Sequence, residues 1–120
     1  AAWHRARTEG FSVVIPTPVV AQVHRGGRDR ARIDRVLNAV DAVVPTSERV
    51  ARLAGELQAL AGTSDAVDAI VAAEAILSVP AVILTSDPDD IRRLLDQYPL
   101  RQTTISSVGP LETLAGQKAP

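Results

Sequence analysis

Apolar positions along the chain switch repeatedly between a period of two and a period near 3.6 residues. Four short, β-branched runs read as strands: Phe11 to Pro16, Ala42 to Pro45, Ala81 to Ser86 and Gln102 to Val108. Between them lie helical patterns. Ile33, Val36, Leu37 and Val40 recur at i, i+3, i+4 and i+7 with arginines opposite, which predicts an amphipathic surface helix over residues 29–40. Val50, Leu53, Ala54 and Leu57 form one stripe of a helix over 48–60, capped by Ser47 and ended at Gly62. Thr17-Pro18 has the form of a helix start, with Thr17 as N-cap and Pro18 at the first helical position, and that helix must stop at Gly26-Gly27. Ala1 to Arg7 reads as the tail of a helix ended at Gly10, and Pro88 opens a helix over 89–97. Strands alternating with helices predict an α/β fold in which helices cover both faces of a parallel sheet.

One helix breaks its own pattern. From Ala66 to Leu77 every residue is apolar except Asp68 and Glu74, and a helix apolar all round is normally an inside helix. An unpaired charge there costs several kcal/mol, so such an acid reaches a cation, reaches solvent or exists for chemistry. At about 100° per residue the two acids point roughly 120° apart, so only one of them is expected at the solvent edge. With Ser64 as cap, Asp68 also falls near the first turn, where the helix dipole stabilises a carboxylate by about 0.3–1 kcal/mol. A second acid, Asp87, closes the run Ala81 to Ser86, at the carboxyl end of a strand, where ligands of open parallel sheets gather. Asp87 also reads as an N-cap, with Pro88 at N1 and Asp90 at N3, which explains all three residues without any function. Two carboxylates without cysteine or ligand-spaced histidine suit a hard cation, Mg2+ or Mn2+.

Composition narrows the class. With 120 residues, 46% hydrophobic and 22% charged, the chain suits one domain with a real core, placed at 1–108 and followed by a polar tail at 109–120. No cysteine is present, which removes disulfides and cysteine metal clusters and favours a cytoplasmic setting. Charges and prolines break every apolar run well before the ~18 residues of a membrane span. Residues 1–40 carry seven arginines against three acids, whereas 41–120 carry six basic residues against eleven acids. Such segregation suits a polyanion on one lobe and a cation in the other, although Arg25, Arg28, Arg30, Arg32 and Arg35 equally suit a solvated helix. One Trp, one Tyr and one Phe leave too few aromatics for a base-stacking platform. His4 and His24 have no ligand-spaced partner and read as surface or capping residues, and Arg92 and Arg93 pair with the acids of their own helix.

Asp68 to Ala73, followed by Ala81 to Asp87, resembles the C-terminal half of a PIN domain, in particular the VapC-type toxins of bacterial toxin–antitoxin pairs. Val14 to Val23 resembles that family's second strand and the helix after it, and the order of elements is similar throughout 1–108. The resemblance implies a PIN-like α/β/α sandwich and a Mg2+-dependent endoribonuclease, commonly a homodimer, that cuts RNA and is held inactive by a cognate antitoxin. Its chemistry would be metal-assisted attack of water on a phosphodiester, with Asp68 and Asp87 as metal-holding catalytic acids.

The chain also departs from the family. Gln22 stands where a Glu is usual, and a neutral amide is a poorer ligand for a hard cation than a carboxylate. The family's first strand, which ends in its first acid and lies centrally in the sheet, has no counterpart here. The strands ending at Pro16 and Ser86 are therefore expected to face a gap. Three readings follow: a truncated or degenerate ribonuclease, a non-catalytic PIN-like module that dimerises or binds an antitoxin, and an unrelated doubly wound fold in which Asp87 is merely a cap.

Overall fold

Helix and strand boundaries follow the chain's local chemistry closely. A computed structural model of the chain describes residues 8–10, 12–24, 29–78, 81–85, 88–98 and 103–107. Among them run β1 (Val14–Pro16), α1 (Thr17–Val23), α2 (Arg30–Ala39), β2 (Ala42–Val44), α3 (Glu48–Ala61), α4 (Ala66–Leu77), β3 (Ala81–Thr85), α5 (Pro88–Leu95) and β4 (Thr103–Ser107). The helical reading of Ala1 to Arg7 lies outside the described residues, but Gly10 takes φ 90°, a turn that favours glycine.

Capping explains both ends of α3 and the start of α4. The Ser47 hydroxyl accepts a hydrogen bond from the Val50 amide at 3.1 Å and starts α3. Gly62 ends α3 in the left-handed region at φ 69°, its amide donating to the Gln58 carbonyl at 2.9 Å. Arg93 of α5 donates to the Ala61 carbonyl at 3.1 Å, so a cation from another helix meets the negative end of α3. Two expected caps differ. Thr17 is already helical, and Pro16 stands at the N-cap with no side-chain bond, because the fixed φ of Pro18 presets the turn without a hydroxyl. Asp65, not Ser64, caps α4: its carboxylate accepts from the Asp68 amide at 3.0 Å.

The strands form two parallel pairs. β1 pairs with β2 in the register Val14 to Ala42, Ile15 to Val43 and Pro16 to Val44. Asp41 fastens this pair at its start, its carboxylate accepting from the Val13 amide at 2.6 Å while its own amide donates to the Val13 carbonyl at 2.8 Å. β3 pairs with β4 from Ala81 opposite Thr103 to Thr85 opposite Ser107. β1 and β3 belong to different sheets, so the described strands do not form the single sheet expected from strand–helix alternation. The fold is mixed α/β, more helical than stranded.

Packing is divided in the same way. The main core joins Val50, Ala54 and Leu57 of α3, Ala69, Ala72, Ala73, Ala75 and Ile76 of α4, Ile83 of β3, and Ile91, Leu94 and Leu95 of α5. The alanines let α3 and α4 approach closely, and the predicted stripe of α3 is the face they bury. A second, smaller cluster holds Val36 of α2 against Val13, Ala39 and Val40. α4 is the element common to both halves, packing on β3 and also on β1 and α1.

Candidate functional site

The two described site positions, Gln22 and Asp68, fall on different helices, and the structure brings those helices together. α1, which carries Gln22, packs against α4, which carries Asp68. Asp87 lies outside the described residues. Its neighbour Pro88 is the first residue of α5, the place the capping reading of Asp87 gives it.

Asp68 sits in the first turn of α4 and is half-buried. Its position is in line with Ala72 and Ala75, one and two turns on, which are both buried. In the first turn of α4 it is less buried than they are. The macrodipole favours a carboxylate there, and the amide of the same residue is already satisfied by Asp65. Glu74 lies on the other side of α4, half-buried, and accepts a hydrogen bond from the Ser78 hydroxyl at 3.5 Å. No charged side chain is fully buried among the described residues. The expectation of one acid at the solvent edge and one inside therefore needs correction: both reach the boundary, Asp68 by helix position and Glu74 by helix face.

Gln22 is exposed on α1, a seven-residue helix with no buried residue. Among the described residues no group of three or more His, Asp or Glu side chains is placed to hold a metal ion. A hard divalent cation takes about six oxygen ligands, usually including more than one carboxylate. The described part of the expected set supplies one carboxylate, Asp68, and one neutral amide, Gln22. These residues do not by themselves fit a resident Mg2+ or Mn2+.

The remaining polar groups are structural in form. Arg92 meets Asp89 at 3.1 Å and Arg93 meets Asp90 at 3.8 Å, the same-helix pairs read from spacing. Exposed pairs of this kind contribute a few tenths of a kcal/mol. His24 caps the C-terminus of α1, as expected. Sequence reasoning missed its second role, because no periodic signal links residues ten apart: its Nε2 lies 2.9 Å from the Asp34 carboxylate and ties α1 to α2. Comparison of the chain with protein-family models, curated proteins and solved structures found no match.

Proposed function

We propose that the chain is a PIN-type ribonuclease frame of the VapC kind, an α/β/α sandwich in which no described strand joins β1 to β3, and that these 120 residues by themselves do not cleave RNA. One observation supports this reading above the others. β1 and β3 lie against the same helix, α4, yet belong to separate parallel pairs with no described strand joining them. A PIN domain without its first strand would divide in this way, whereas an unrelated doubly wound fold has no reason to divide between these two strands.

The acids argue for inactivity. Cleavage of a phosphodiester by metal-activated water needs several carboxylates to hold the ions and orient the nucleophile. Gln22 is neutral, and the acid that would end the central strand is absent from the described residues. Misplacement of the remaining groups by about 1 Å costs on the order of 100-fold in rate. The exposed amide of Gln22 favours a second reading, a non-catalytic module that retains the family's pairing with itself or with an antitoxin.

The test adds an N-terminal apolar strand ending in Asp, together with Gln22→Glu, and follows cleavage of a fluorescent RNA with Mg2+. The reading expects cleavage by the restored protein and its loss on Asp68→Asn or Asp87→Asn. Metal-dependent cleavage by the unmodified chain, abolished by Asp68→Asn, would refute inactivity and leave the nuclease assignment standing. Cleavage by neither protein, with both folded, favours the binding module.

A further inference from the structure

We draw no further inference here: the strongest candidate, the exposed apolar surface of the β1–β2 pair at Val14 and Val43, carries nothing because nothing in the structure shows what covers it.

Discussion

Replacing Leu57 by Ala, and separately Val36 by Ala, tests whether the divided packing produces divided stability. Leu57 is 1% exposed at the centre of the main core. Its truncation removes three carbons at about 0.8 kcal/mol each, and the cavity left behind raises the cost to about 3–4 kcal/mol. Val36 is 2% exposed, but it touches only half-buried neighbours, and losing two carbons there costs about 1–2 kcal/mol. Against a total of about 5–15 kcal/mol for an ordinary domain, both variants remain folded. Native-state hydrogen exchange reads the two halves separately. If β1, α2 and β2 open while the main core stays intact, Leu57→Ala speeds exchange in α3, α4 and α5 more than 100-fold and leaves α2 and β2 unchanged. Val36→Ala speeds exchange in α2 and β2 by about 5–30-fold. The reasoning fails if Leu57→Ala accelerates α2 and β2 as much as α4, because that is the behaviour of one cooperative core.

Two further outcomes are expected. Gly62 takes φ 69° with open space where a Cβ would lie, so Gly62→Ala is opposed by backbone conformation alone and lowers stability by about 1–2 kcal/mol in urea unfolding; Gly62→Asn costs less, and equal costs would contradict the argument. Gln22→Glu adds a carboxylate on the helix that packs against Asp68's helix and is expected to tighten Mg2+ binding in calorimetric titration, whereas equal or weaker binding removes Gln22 from the site.

The chain's periodicity made most elements legible because each carries its own start and stop. Ser47 and Gly62 bound α3 to within a residue of the expected ends, and the stripe Val50, Leu53, Ala54 and Leu57 turned out to be its buried or half-buried face. Local signals fail where two residues compete for one role. Ser64 and Asp65 are both good caps, and the side chain one residue nearer the helix reached the Asp68 amide. The burial of Asp68 was overread for a related reason: composition shows that α4 is an inside helix, but not how soon its first turn opens to solvent. Contacts distant in sequence, such as Asp34 with His24 and Asp41 with the Val13 amide, leave no periodic trace and emerge only from the fold. Of the site itself, the sequence supplied residue types, and the structure added that the helices of Gln22 and Asp68 pack together.

The central claim is that β1 and β3 flank one position of a single sheet that no described strand fills. Its most direct measurement is nuclear Overhauser contact across strands in a chain extended at its N-terminus by an apolar segment of about five residues, the length of β3. Backbone amide and α-proton contacts reveal strand neighbours spaced about 4.8 Å apart. The account predicts contacts from the added strand to Val14 and Ile15 on one side and to Val82 and Ile83 on the other, merging the two parallel pairs into one sheet. Contacts to only one pair, or an added segment that stays unpaired while the rest of the fold is unchanged, would contradict it.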